Sequence, residues 1–227
     1  MGATCCCNEP RADDQDLPQV LALPAGCRHQ EEVLGPASSA LALAEASEPG
    51  AFLVELARDA DAPSEPVGIE VDCFYDVGIH VCGVLPGLFQ RYNDSAGEDR
   101  RIQEDDFFVD INGAVRALDM LEQLRKASKL RVKVLRPTAY KATLNTSGKK
   151  LGVTLKFQED VSKLMVIAAV EPEGAVQEYN SSAEPERQVK AWDFLKSVNG
   201  ASGSYKKILA ALQATDAIEA ELLRLNR

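Results

Sequence analysis

Asp106-Phe-Phe-Val-Asp-Ile-Asn-Gly-Ala114 returns 87 residues later as Asp193-Phe-Leu-Lys-Ser-Val-Asn-Gly-Ala201. In each copy an apolar run enters Asn-Gly, a pair that tolerates positive φ at both central positions of a two-residue hairpin turn. Upstream, Val84-Leu-Pro-Gly-Leu-Phe-Gln-Arg-Tyr-Asn93 is echoed by Val170-Glu-Pro-Glu-Gly-Ala-Val-Gln-Glu-Tyr-Asn180. Earlier still, Val67-Gly-Ile-Glu-Val71 matches Leu151-Gly-Val-Thr-Leu155, and Ala51-Phe-Leu-Val-Glu-Leu56 matches Ala139-Tyr-Lys-Ala-Thr-Leu144. The order of the four matches is kept, which marks a duplicated unit of about 85 residues.

Within a unit, Phe52, Val54 and Leu56 alternate, as do Ile69 with Val71, Ile79 with Val81, and Val132 with Val134. Alternation predicts half-buried strands. Ala117, Leu118, Met120, Leu121 and Leu124 fall at helical spacing, and Ile208, Leu209 and Leu212 repeat the pattern. A shorter helix is expected around Gly87–Tyr92 and again around Ala175–Tyr179. The fold class predicted is β-rich α+β: two partly open barrels or sandwiches of five to six strands, each with one long and one short helix. The boundaries expected are 51–137 and 139–227, with Thr138 alone between them. So short a connection predicts two units packed in a fixed relation.

The chain has 227 residues and a formal net charge of −10, unevenly spread. Residues 1–50 hold two basic and eight acidic residues, five prolines and no aromatic residue. Such a stretch buries little, so an acidic, Pro- and Ala-rich disordered tail is expected, with a short helix over Ala37–Ala46. Residues 51–137 hold 11 basic and 16 acidic residues, and 138–227 hold 12 and 11. Nucleic-acid binding needs clustered Lys and Arg and is not expected. The apolar runs are all too short to cross a bilayer. The six cysteines are expected to stay reduced, and the three Asn-x-Ser sequons at Asn93, Asn145 and Asn180 read as chance.

The Asp-Phe-Φ-x-x-Φ-Asn-Gly stretch, the helix behind it and an x-Φ-Gly-Φ loop in the right place make each unit resemble the PDZ domain. The loops are Pro66-Val67-Gly68-Ile69 and Lys150-Leu151-Gly152-Val153. Consecutive amides turned inward form a nest for a chain-terminal carboxylate, and glycine lets the backbone approach. The resemblance implies that a partner's C-terminal peptide adds as a strand between the strand after the loop and the long helix. The residues implied are Val67, Gly68, Ile69, Glu70, Ala117, Leu121 and Leu124 in the first unit. In the second they are Lys150, Leu151, Gly152, Val153, Thr154, Tyr205, Leu209 and Leu212. Ala117 implies an apolar ligand side chain two residues before the terminus, and Tyr205 a hydroxyl donated to an acidic one. Glu65 and Pro66 make the first loop a poor anion site, whereas Lys149 and Lys150 favour the second. Gly152→Trp is expected to block binding without unfolding.

Met1-Gly2-Ala3-Thr4-Cys5-Cys6-Cys7 resembles an acylation start, with Gly2 for myristate and Cys5, Cys6 and Cys7 for palmitate. Cys6 stands where the usual pattern has Ser or Thr. One acyl chain anchors only marginally, so the cysteines would supply the second. The expectation is a peripheral protein on the cytoplasmic side of a membrane, or a cytoplasmic one without the lipid.

No cofactor, metal site or enzymatic activity is expected. The only histidines are His29 and His80. His80 and Cys82 share a strand face, but a Cys–His nucleophile needs an orienting group and a cleft, neither of which is evident. Glu104-Asp105-Asp106 reads as a turn or solvated face, and Trp192 as a core or rim residue. Two functions follow: a membrane-tethered adaptor that gathers C-terminal peptides, or a domain pair acting through surface or oligomeric contacts without peptide binding. A regulatory fragment of a protease would need catalytic residues on another chain.

Overall fold

A computed structural model describes residues 48–59, 65–74, 78–159 and 161–226. Residues 1–47 of the expected tail, with its short helix and acylation residues, lie outside them, while its last three residues belong to the first unit: Glu48 pairs with Lys133 (3.1 Å) and the Gly50 carbonyl accepts from Arg136 N. The chain is β-rich α+β, with two antiparallel sheets. The first contains β1 (Ala51–Ala57), β2 (Ile69–Phe74), β3 (Gly78–Val84), β4 (Phe107–Ile111) and β5 (Lys129–Leu135). The second contains β6 (Thr138–Asn145), β7 (Val153–Lys156), β8 (Met165–Val170), β9 (Phe194–Val198), β10 (Ala201–Ser202) and β11 (Ala217–Arg224). Strand orders β1-β5-β4-β3-β2 and β6-β11-β9-β8-β7 correspond position by position, with β10 pairing β9 as an extra hairpin arm. Thr138 is no linker: it opens β6 and pairs with Arg224.

Each unit has a short helix, α1 (Leu88–Ser95) or α3 (Ala175–Ser182), and a longer one, α2 (Ala117–Lys126) or α4 (Tyr205–Ala214). The short helices run a turn beyond the sequence expectation because Asn93 and Asn180 clamp them to the next loop. Asn93 exchanges hydrogen bonds with Ile102 N and O (2.9 and 2.8 Å), and Asn180 with those of Val189 (2.7 and 2.8 Å). The Asn-Gly turns have the required backbone: φ is 56° and 84° at Asn112 and Gly113, and 50° and 79° at Asn199 and Gly200. Each turn asparagine then bridges to the last strand, Asn112 Oδ1 accepting from Arg131 N and Asn199 Oδ1 from Glu219 N.

The two aspartates that open the repeated motif are buried, at 1% exposure each. Asp106 receives Arg136 through Nε (2.8 Å) and Nη2 (3.0 Å); Asp193 receives Arg224 through the same atoms (2.7 and 2.6 Å). Each pair fastens the start of the motif strand to the end of the last strand.

Phe107 and Phe194, equivalent in the repeat, meet each other with ring centroids 4.8 Å apart. With Leu164, Val166 and Leu223 they form a buried cluster between the units, separate from the core of each. Around it, Lys163 N donates to Asp72 Oδ2 (3.0 Å), Lys163 Nζ pairs with Glu70 (2.7 Å) and Lys196 Nζ with Asp105 (2.7 Å). No helix among the described residues is long and apolar enough to cross a membrane.

Candidate functional site

The x-Φ-Gly-Φ loops owe their shape to a crossing of backbones. In the first unit the amides of Leu88, Phe89 and Leu85 donate to the carbonyls of Pro66, Val67 and Gly68. In the second, Ala175, Val176 and Glu171 donate to Lys150, Leu151 and Gly152. All three loop carbonyls are thus engaged by the turn and first residues of the short helix. The amides of Val67 and Gly68, and of Leu151 and Gly152, make no hydrogen bond among the described residues. Consecutive free amides in a turned loop are what an anion nest requires.

Gly68 and Gly152 hold φ values of 72° and 80°. A Cβ on Gly152 would lie 2.5 Å from the carbonyl oxygen of Glu173, and one on Gly68 2.6 Å from that of Leu85. The opposing Gly87 and Gly174 are equally confined, at 2.3 Å from Pro66 O and 2.7 Å from Gly152 Cα. Gly152→Trp therefore does not separate binding from folding: the side chain would drive two backbones apart.

In both units the strand after the loop is a sheet edge, since β2 pairs with β3 alone and β7 with β8 alone. Val67 in the loop and Ile69 and Val71 on β2 are half-buried against the first core, and Glu70 is exposed. On β7, Val153 and Leu155 are half-buried and Thr154 and Lys156 exposed.

The helix sides differ. Ala117, Leu121 and Leu124 are 2%, 3% and 1% exposed, packed into the core. Tyr205 is 8% exposed, while Leu209 and Leu212 are only half-buried. A small, wholly apolar cavity of about 20 Å³ opens beneath the second loop, lined by Leu151, Val153, Leu155, Val176 and Leu212 among others. The sequence pattern places both leucine sets at equivalent positions but carries no measure of how deep each helix sits.

Charges around the loops also differ from the sum in the sequence. Glu65 is held by Arg91 through Nε (3.1 Å) and Nη2 (2.8 Å). Arg58 lays its guanidinium across the first loop's approach, donating to the carbonyls of Glu65, Leu124 and Ala127. The last two belong to the C-terminal end of α2, where a cation is favoured. Neither arginine is distinguishable from a surface residue in the sequence. In the second unit Lys149 pairs with Glu178 (2.6 Å), leaving the exposed Lys150 as the cation nearest the nest.

Between the units, His80 does have an orienting group. Cys82 Sγ lies 3.5 Å from His80 Nδ1, and His80 Nε2 lies 3.2 Å from Asp105 Oδ1. Burial pushes the Cys82 thiol up to about 12, so it stays protonated and unreactive at neutral pH. Glu104 and Asp105 form a turn, as expected, with Glu104 exposed, but the other two carboxylates are not solvated: Asp105 holds His80 and Lys196, and the buried Asp106 holds Arg136. Trp192 is a rim residue, 51% exposed, with φ of 71° against 73° at the equivalent Asp105.

Asp72 is 2% exposed, and its Oδ1 has no hydrogen-bond partner among the described residues. Burial raises its carboxyl above the usual range, offset in part by the Lys163 amide, His80, the Cys73 amide and the Lys163 charge. Burial also pushes Asp105 up, but hydrogen bonds from His80 and Lys196 outweigh it, and that carboxyl sits below its ordinary value. The signs are opposite. Asp105 contributes stability that is lost as pH falls through its folded value, while Asp72 imposes a cost that appears as pH rises through its own. Asp72→Asn is expected to raise the thermal midpoint at pH 7, with the gain shrinking as the pH is lowered. Melting both proteins from pH 8 down to the ordinary aspartate value of 3.8 checks this, and a native protein that outlasts the variant at pH 7 overturns it.

No protein-family model and no curated protein matches the chain. Among solved structures, the chain is similar to INAD PDZ45 in its complex with NORPA CC-PBM, at 20% identity over 81% of this chain and 95% of that one, with a TM-score of 0.31. It is also similar to INAD PDZ45 in complex with NG2 peptide, at 22% identity over 78% and 90%, with a TM-score of 0.29.

Proposed function

We propose that the chain is a non-catalytic tandem PDZ-type adaptor whose second unit captures the C-terminal peptides of partner proteins. The observation that carries this is the combination around Gly152: free amides on Leu151 and Gly152, an unpaired β7 edge, and an apolar cavity floored by Val153, Leu155 and Leu212. A terminal carboxylate enters the nest beside Lys150, the last side chain packs on Val153, Leu155 and Leu212 and widens the small cavity between them, and the peptide main chain extends the sheet. The first unit has the same nest, but its helix leucines are packed away; its role is to brace the second through the Phe107–Phe194 cluster.

The test is capture by the full chain of a peptide library with free C-termini, against the same peptides amidated. Amidation removes the charge the nest holds and is expected to weaken binding at least tenfold, since charge-assisted hydrogen bonds are worth about 1.5–3 kcal/mol each. Equal capture of both libraries overturns the mode and favours the alternative of a domain pair acting through surface contacts.

Membrane tethering belongs to the same proposal and rests on the sequence of the first seven residues. Acylation of Gly2 and of Cys5, Cys6 and Cys7 would hold the adaptor at the cytoplasmic face of a membrane. The amino-terminal peptide from cells is expected to carry the mass of at least two acyl chains, and an unmodified peptide removes the tether.

A further inference from the structure

The two walls of the second groove meet at its far end. Phe157, the residue after β7, stacks on Tyr205, the first residue of α4, with ring centroids 4.6 Å apart and planes 16° from parallel. Behind the rings the β7–β8 loop is fastened to the helix, Tyr205 N donating to the Ser162 carbonyl at 3.0 Å. Ser162 is buried and folds the loop on itself, its Oγ accepting from Gln158 N at 2.8 Å and its amide donating to Gln158 O. The next residue, Lys163, bonds to Asp72 and Glu70 of the first unit. The first unit has Cys73 and Ala117 at the places of Phe157 and Tyr205, and no ring pair there.

We infer that the Phe157–Tyr205 stack is an end wall, making the second groove a blind slot for the last three residues of a C-terminal peptide. The inference rests on the peptide-binding reading above and adds the extent of ligand that is read. Leu212, beside the terminal pocket, is two turns from Tyr205, about 10 Å along a helix rising 1.5 Å per residue. An extended peptide advances about 3.3 Å per residue, so about three residues fit before the rings. Residues further upstream turn away from the sheet edge and contribute no ladder bonds. The hydroxyl of Tyr205 then faces a peptide's third residue from the end of the slot, with its ring fixed by Phe157 rather than free to adapt. Because the wall is continuous with Lys163, the first unit holds it in place.

The tightest free-carboxyl peptide from the library capture, synthesised as its last three, five and eight residues, is titrated by calorimetry into the full chain. Affinities within about threefold of one another are expected. In Phe157→Ala, verified as folded by circular dichroism, the eight-residue peptide is expected to bind at least fivefold more tightly than the three-residue one. A native protein whose affinity rises tenfold from three to eight residues overturns the wall while leaving peptide capture intact. A folded variant that stays blind to length overturns the role of the ring pair. Capture of no free-carboxyl peptide by the native chain overturns the reading beneath it, and the wall with it.

Discussion

Replacing Asp193 by alanine is expected to lower the stability of the second unit by about 3–5 kcal/mol, the usual cost of removing one partner from a buried ion pair. The carboxylate is 1% exposed and receives Arg224 Nε and Nη2, the Tyr140 hydroxyl at 2.7 Å and the Lys190 amide at 2.7 Å. Its loss leaves a half-buried guanidinium with the Glu186 and Gln188 carbonyls and the Tyr140 hydroxyl oxygen as its remaining acceptors, and it leaves the proton of that phenol without its carboxylate partner. The Tyr140 ring lies 4.8 Å from the Arg224 guanidinium carbon, so the cation also loses the arrangement that holds it over the ring. Trp192 precedes Asp193 and is the only tryptophan, so urea unfolding followed by its fluorescence reads this unit directly. Asp193→Ala combined with Arg224→Met is expected to recover part of the loss, because an apolar side chain leaves no charge to desolvate. A single variant that costs under about 1 kcal/mol would mean water reaches Arg224 and the pair is not structural.

The equivalent Asp106 receives Arg136 and the Gln103 amide, but Phe52 replaces Tyr140 beneath the arginine. One fewer donor depends on that carboxylate, so the same substitution there has the smaller effect. The sequence shows the aspartates plainly, as the first residue of the repeated stretch, and conceals the arginines. Arg136 and Arg224 stand 30 and 31 residues beyond their partners, so they drop out of a repeat aligned at constant spacing. The extra residue lies in the hairpin, where β10 makes a two-residue pairing in the second unit and the first has a single bridge, Ile111 to Ala114.

Strands and helices were legible because each buries one face, and burial imposes its period on the residues. Phe52, Val54 and Leu56 alternate since every second side chain of β1 meets a core. The loop glycines were legible as repeated positions, but the reason for the repeat was not. Gly68 against Gly87 and Gly152 against Gly174 are contacts between backbones, and only the pairing in space explains why both members lack a side chain.

The groove was half legible. Its residues come from one loop, one strand and one helix per unit, and the repeat marks all three. What separates Leu121 and Leu124 from Leu209 and Leu212 is how closely a helix settles on its sheet, which depends on side chains from many segments at once. Net charge misled in the same way. Glu65 counts against an anion until Arg91 is seen to neutralise it, and Lys149 counts in favour until Glu178 does the same. Phe157 carries no periodic signal because it follows the last residue of a four-residue strand, and its partner is 48 positions away.

Gly152→Ala is expected to remove peptide capture altogether and to destabilise the second unit, and Gly148→Ala separates the two causes of that loss. Both glycines hold φ close to 80°, so each substitution carries the left-handed penalty of about 1–2 kcal/mol. A Cβ on Gly148 would meet nothing within 4 Å, so its variant should lose that amount and no more. At Gly152 the new methyl meets the Glu173 carbonyl oxygen at 2.5 Å and the Gly174 Cα at 3.1 Å. Both are backbone atoms, so relief requires the loop and the start of α3 to separate, adding about 1–3 kcal/mol of overpacking. That separation breaks the bonds from Ala175, Val176 and Glu171 that turn the Leu151 and Gly152 amides toward the ligand. Binding of a free-carboxyl peptide should therefore fall at least tenfold in Gly152→Ala, measured where the variant is still folded, and stay native in Gly148→Ala. Equal stability losses in the two variants would mean the crossing of backbones is loose. Native affinity in Gly152→Ala would move the carboxylate site away from this loop.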